Sequence, residues 1–203
     1  MKSLSEIETV SKRSSRAVGY SWGIAEEVGK NIRMLEFIGI SGIKNLNHYY
    51  KIKNKKNFEK IKIISKENKK SQLEYCPIIT GVNFLDQVTS LEKLKDIKFH
   101  DIAFPILFLP FVSRASEVVG KKILLKIDSS SFLLNYNNSI YSDFLNNGII
   151  KLGNNIEITF LENVDLFEDK EWRELYKLSE NTFVEENESL KRSGAGAGLT
   201  DND

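Results

Sequence analysis

The sequence is poor in the residues that build redox and metal centres: 203 residues hold one cysteine, two histidines and two methionines. Cys76 alone excludes an intrachain disulfide and any multi-cysteine zinc or iron–sulfur site, and His48 and His100 are too few and too far apart in the chain to form a histidine metal site. No metal and no cofactor is expected. Long apolar runs are missing too. The longest, Ile102–Val112, has 11 residues and contains Pro105 and Pro110, well short of the roughly 20 that a membrane-spanning helix needs. The first residues are polar and lack the apolar stretch of a signal peptide, so the reading is a cytoplasmic protein with no membrane contact. Also absent are GxGxxG after a strand, a phosphate loop ending in Lys-Ser/Thr, HExxH, GxSxG and CxxC, which removes the standard nucleotide-binding, zinc-protease and hydrolase readings.

What is present is an ordinary globular composition, with 41% hydrophobic and 28% charged residues and a net charge of +1. The balance hides an asymmetry. Residues 1–70 carry 16 basic and 7 acidic side chains, whereas residues 161–203 carry 5 and 12. The two ends are electrostatically complementary, which favours their meeting if the fold brings them close.

Ser3 with Glu6 has the spacing of a capping box, and Leu4, Ile7 and Val10 recur at helical intervals, which predicts a first helix over 4–18. Gly19 stops it and Ser21 caps a second helix whose face runs through Trp22, Ala25, Val28, Gly29, Ile32 and Leu35 to Gly39. Gly19 and Gly23 are read as points of close backbone approach. A shorter helix follows through Ile43, Leu46 and Tyr50. Nine of the twenty residues 51–70 are lysine, which reads as a solvated edge or loop with a short strand at Ile61–Ile64. Strands are expected at 97–99, 122–127, 131–136, 149–152 and 156–160, with Asp128–Ser130 and Gly153–Asn155 as turns. Helices are expected at 77–87, 104–119 and 169–184. The fold class is α+β: an N-terminal helical hairpin, a central mixed or antiparallel sheet with one or two helices, a C-terminal helix and an extended Gly-rich tail. Residues 1–192 read as one domain, helical over 1–50 and mixed α/β over 71–184, with 193–203 as the tail.

Chemistry is sparse. Cys76 before Pro77 reads as a small buried hydrophobe more readily than as a nucleophile. His48 reads as a surface residue, as does His100, which with Asp101 would handle protons only if both faced a pocket. The densest mixture of glycine, aromatic and charge is Arg16–Lys30, where Glu26 and Lys30 are helical neighbours and Glu27 is turned about 100° away.

The segments Leu4–Glu8 and Gly19–Lys30, with the terminal Gly194–Asp203, resemble an uncharacterised bacterial family, domain of unknown function 3726. The resemblance covers about the first 40 residues and the last 12, implies no activity, and draws attention to both termini. It points to a shared site built from Arg16, Tyr20, Ser21, Trp22, Glu26, Glu27 and Lys30 together with Gly194, Gly196, Gly198, Asp201 and Asp203 of the tail, with residues 199–203 expected near the turn between the first two helices.

Three functions follow as expectations. The first is an accessory protein that binds an unknown protein partner or a small molecule through the hairpin and tail, as a monomer or homo-oligomer. The second is a small-molecule enzyme with Glu26 or Glu27 as general base, Arg16 or Lys30 holding a carboxylate and the tail as a lid. The third, nucleic-acid binding through 51–70, is disfavoured because that stretch has one aromatic and no arginine.

Overall fold

The computed structural model describes residues 2–69, 72–135, 139–144 and 148–183. It divides into two compact units, Met1–Asn163 and Val164–Asp203. The first unit begins with α1 (Leu4–Ala17), capped by the Ser3 hydroxyl, which accepts from Glu6 N–H at 3.1 Å. The chain turns at Gly19, whose φ of +98° suits glycine, and the Ser21 hydroxyl caps α2 (Trp22–Phe37). Ala25, Val28, Gly29, Ile32 and Leu35 are buried as the periodicity requires, but Trp22 is 57% exposed, because it lies at the first helical position beyond the reach of the core. The close approach of the two helices also sits elsewhere than expected. Gly19 and Gly23 face open space, whereas a Cβ on Gly29 would stand 2.8 Å from the Glu8 carbonyl oxygen of α1. Next comes α3 (Gly42–Lys53).

The 51–70 segment is less solvated than its lysines imply. Its first residues finish α3, and Ile64 is buried while Ile63 is 82% exposed. Asn83 and Gln87 of α4 (Pro77–Leu91) donate to the carbonyls of Ile61 and Lys62, so side-chain amides hold the stretch in place of a strand. The strand forms later, as β1 (Glu67–Asn68), parallel to β2 (Asp96–Ala103).

After β2, Pro105–Leu107 make one 3₁₀ turn and α5 (Leu109–Val119) follows, with Pro110 in its first turn, where a missing N–H costs nothing. Then β3 (Ile123–Ile127) and β4 (Ser130–Asn135) form the expected hairpin over Asp128–Ser129, and β5 (Ser139–Ser142) and β6 (Leu152–Phe160) complete the sheet. The order is β1-β2-β6-β3-β4-β5, with every pair but the first antiparallel.

One turn and one strand expected from the sequence are not found here. Gly153–Asn155 lies inside β6, because pairing of Leu152 and Gly153 with Ala103 and Ile102 outweighs local turn propensity. Ile149–Lys151 is not strand; only Leu152 of that expected segment joins β6. The short polar β5 carries no period-2 apolar signal, which is why the sequence does not announce it.

Alternate sheet residues Ile97, Phe99, Ile123, Leu125, Phe132, Ile156 and Ile158 are buried; Phe108 meets Phe99 and Phe84 of α4 edge-on, and Phe84 stacks on Phe160. The opposite face carries the Lys98–Glu157 ion pair and the Thr159–Asp96 hydrogen bond, as befits a sheet with one wet side.

The second unit contains α6 (Asp169–Ser179) and a 3₁₀ turn at Glu180–Thr182. The Glu171 carboxylate accepts from Glu168 N–H at 2.8 Å to start the helix, Phe167 stacks on Trp172, and Trp172, Leu175 and Tyr176 are each more than half exposed.

Gly81 sets the spacing of α4 and α5: a Cβ there would penetrate the Phe111 ring. In an open helix Gly→Ala stabilises by roughly 0.5–1 kcal/mol. Gly81→Ala is instead expected to lower the unfolding free energy by about 2 kcal/mol, the cost of overpacking, as measured by urea denaturation.

Candidate functional site

The turn between α1 and α2 sends Tyr20 inward, to 6% exposure. Arg16 braces that turn by donating to the Tyr20 carbonyl at 2.9 Å, with its guanidinium 5.5 Å from the centre of the Trp22 ring. From α3 come two consecutive tyrosines, both buried. Tyr50 meets the Ser15 hydroxyl at 2.5 Å, while the Tyr49 hydroxyl lies 2.8 Å from that of Tyr20 and 3.0 Å from Cys76 Sγ. Tyr20 Oη is 3.6 Å from the same sulfur, and the Ile79 N–H in the first turn of α4 donates to it at 3.4 Å. Cys76 is the N-cap of α4. Its backbone is fixed from both sides: its N–H donates to Glu59 O, Tyr75 N–H donates to Asp101 O, and Tyr75 O accepts from Ala103 N–H.

Burial pushes the Tyr49 and Tyr20 hydroxyls far above their ordinary range, and the adjacent Cys76 adds to the shift. Burial raises Tyr50 as well, against a smaller lowering by its bond to Ser15. All three phenols therefore keep their protons at neutral pH and remain able to donate.

Tyr20, Tyr49 and Cys76 floor an open cavity of about 250 Å³ between the N-terminal ends of α2 and α4. The lysine-rich segment forms its rim. Lys53 donates to Val18 O at 3.1 Å and lies 5.0 Å from the centre of the Tyr20 ring; Lys56 pairs with the Glu74 carboxylate at 2.9 Å; Lys60 has no ionic partner among the described residues. A larger groove, about 310 Å³, runs between α1 and α3 over Ile7, Val10, Ile43 and Leu46, but its walls are mostly apolar and its Tyr50 hydroxyl is engaged by Ser15.

The residues singled out in the sequence fall into two places. Tyr20 and Ser21 line the cavity. Glu26 and Glu27 do not. Glu26 is held below the usual carboxylate range by hydrogen bonds from Lys12 and Lys30, both at 3.1 Å, and Glu27 pairs with Arg114 of α5. Lys30 is thus tied to Glu26, with Glu27 at 3.7 Å. Gly194, Gly196, Gly198, Asp201 and Asp203, and the expected docking of residues 199–203, lie outside the described residues. Sequence reasoning passed over Tyr49 and Lys60; it read Cys76 as a small buried hydrophobe, and Cys76 is buried, but against two hydroxyls at the cavity. Consecutive tyrosines in α3 and a cysteine before proline at a helix start were the available signals; their meeting depends on contacts 27 and 56 residues apart in the chain.

Among the described residues no group of three or more His, Cys, Asp or Glu is placed to hold a metal ion, and no helix is long and apolar enough to cross a membrane. Residues 2–75 match the family described as Protein of unknown function (DUF3726). The match contains Tyr20, Ser21, Tyr49 and the three rim lysines and ends one residue before Cys76. The searches of curated proteins and of solved structures give no match.

Two outcomes follow. A tyrosine kept neutral by the fold contributes stability that is complete below its ordinary value of 10.0 and is lost as pH rises beyond it, because only the unfolded chain then ionises. Unfolding free energy is expected to fall more steeply above pH 10 in the wild type than in Tyr50→Phe, by about 1.4 kcal/mol per pH unit, in urea titrations of both. Glu27→Gln should cost about 1–3 kcal/mol by leaving Arg114 without its partner, whereas Glu26→Gln should leave the urea midpoint where it is, since that pair is solvent-exposed.

Proposed function

We propose that the protein is a small-molecule-binding accessory protein whose ligand enters the cavity beside the α1–α2 turn and ends on the Tyr20, Tyr49 and Cys76 side chains. The observation that supports this most directly is the floor of the cavity: two protonated hydroxyls and a thiol at the base of an opening about 250 Å³ in volume. A few convergent polar groups in a concave site are how proteins fix a ligand's orientation. The alternative of an enzyme with a Glu26 or Glu27 base has less support, because both carboxylates are engaged by cations outside the cavity. Nucleic-acid binding through 51–70 is weakened in the same way, since Lys53 and Lys56 are committed to Val18 O and Glu74.

Asn57 lies on the cavity wall and is exposed, so Asn57→Trp should block the opening without disturbing the core. Small molecules released by denaturing the purified wild-type protein, quantified by mass spectrometry, are expected to include one species near one equivalent, reduced about tenfold or more in Asn57→Trp, a loss of at least about 1.4 kcal/mol of binding. Equal amounts from the two proteins, with the variant folded by circular dichroism, would sink the reading, as would a wild type that carries nothing.

A further inference from the structure

We infer that the ligand of this cavity is an anion, presenting a carboxylate or phosphate group to the space between the starts of α2 and α4. This rests on the reading of the cavity as the ligand site and adds the chemical class. Three cations, Lys53, Lys56 and Lys60, line the opening, and among the described residues no carboxylate side chain is part of its lining. Two of those cations already have partners; Lys60 has none among the described residues, so one full positive charge at the rim is uncompensated. Beneath it, helices of 16 and 15 residues start at the cavity wall through Ser21 and Ile24 on one side and Cys76 and Ile79 on the other. Each brings the partial positive charge of its N-terminus. Neither has an acidic residue in its first turn, in contrast to α1 and α6, which carry Glu6 and Asp169 with Glu171 there. The floor beneath them is polar, with the Tyr20 and Tyr49 hydroxyls and the Cys76 sulfur bonded to one another. A cationic ligand would meet the like charge of Lys60 and of both helix starts, and a neutral one would leave Lys60 without a counter-charge among the described residues. An anionic oxygen answers all of them at once, through hydrogen bonds in which the acceptor bears the charge.

The volume limits the size: about 250 Å³ lies just below the range of pockets that enclose drug-sized molecules, which suits a ligand with few heavy atoms or one anionic end of a larger compound.

The probes are inorganic phosphate and succinate, titrated separately into the full-length protein by calorimetry at constant ionic strength, with the rate of Cys76 alkylation by iodoacetamide followed in parallel. At least one probe is expected to bind saturably in the millimolar range or better, to slow alkylation, and to bind about tenfold more weakly to Lys60→Met. Which probe does so distinguishes a phosphate from a carboxylate ligand. Because Lys60 is exposed, that variant should keep the wild-type fold. No saturable binding of either probe, or binding that Lys60→Met leaves unchanged, overturns the anion assignment. If at the same time the wild type still releases a bound small molecule that Asn57→Trp does not, the cavity remains the ligand site and only its chemical class is wrong.

Discussion

Tyr20, Tyr49 and Cys76 meet their side-chain hydrogen-bond partners in one another, and the arrangement of the first unit depends on that constraint. Each comes from a different segment: the α1–α2 turn, α3 and the start of α4. Removing any one leaves the others buried without a full set of partners, at a cost of about 1–3 kcal/mol per orphaned group. The hydrogen-bonded triangle therefore specifies how the three N-terminal helices seat against the α/β layer, where apolar packing alone would tolerate sliding. Tyr49 also packs on Phe58 and on Phe104, so the same residue joins the polar triangle to the lysine-bearing segment and to the turn after β2.

That turn is built under backbone constraint. Asp101 and Phe104 both adopt positive φ, which costs non-glycine residues energy, and they lie on either side of Ile102, the bridge partner of Tyr75. The strain is repaid in placement. The ladder from Glu59 to Tyr75 to Ile102 stops within one residue of Cys76, so the sulfur enters α4 from a backbone already fixed by hydrogen bonds on both sides. A thiol so positioned is a fixed wall of the cavity, which is what a binding site requires of the groups that read its ligand.

The legible parts of this molecule are those governed by local rules. Ser3 and Ser21 announce their helices because a cap is satisfied within three residues, and α4 begins at Pro77 because proline is favoured at a first helical position. The hairpin of β3 and β4 was visible in its alternation. What stayed hidden depends on partners distant in sequence. Gly153–Asn155 has the composition of a turn, yet the Asp128 carboxylate accepts from the N–H groups of Asn154 and Asn155 and holds them beside the β3–β4 turn. Cys76 looked like a lone apolar residue because the hydroxyls that meet its sulfur, those of Tyr49 and Tyr20, lie 27 and 56 residues away in the chain. Glu26 and Glu27 stood as alternative candidates for a general base because their spacing says where they point along one helix, which gave the Glu26–Lys30 neighbours but nothing about the cations that Lys12 and Arg114 deliver from two other helices.

Charge is where the local and global accounts meet. The excess of basic residues in 1–70 is real, but most of it along the hairpin is neutralised where it stands: Lys12 and Lys30 on Glu26, and Arg33 on Glu8. Exposed pairs of this kind add little stability, and their effect is to flatten the potential over α1 and α2. The lysine-rich segment behaves differently, because Asn83 and Gln87 hold its backbone against α4 while its side chains reach past that anchor. Part of its charge is thereby gathered at one opening, beside two helix starts that add to it with the same sign. A folded chain gains nothing by concentrating like charge around a cavity, since the arrangement repels itself; the cost is recovered when something of opposite sign occupies the space.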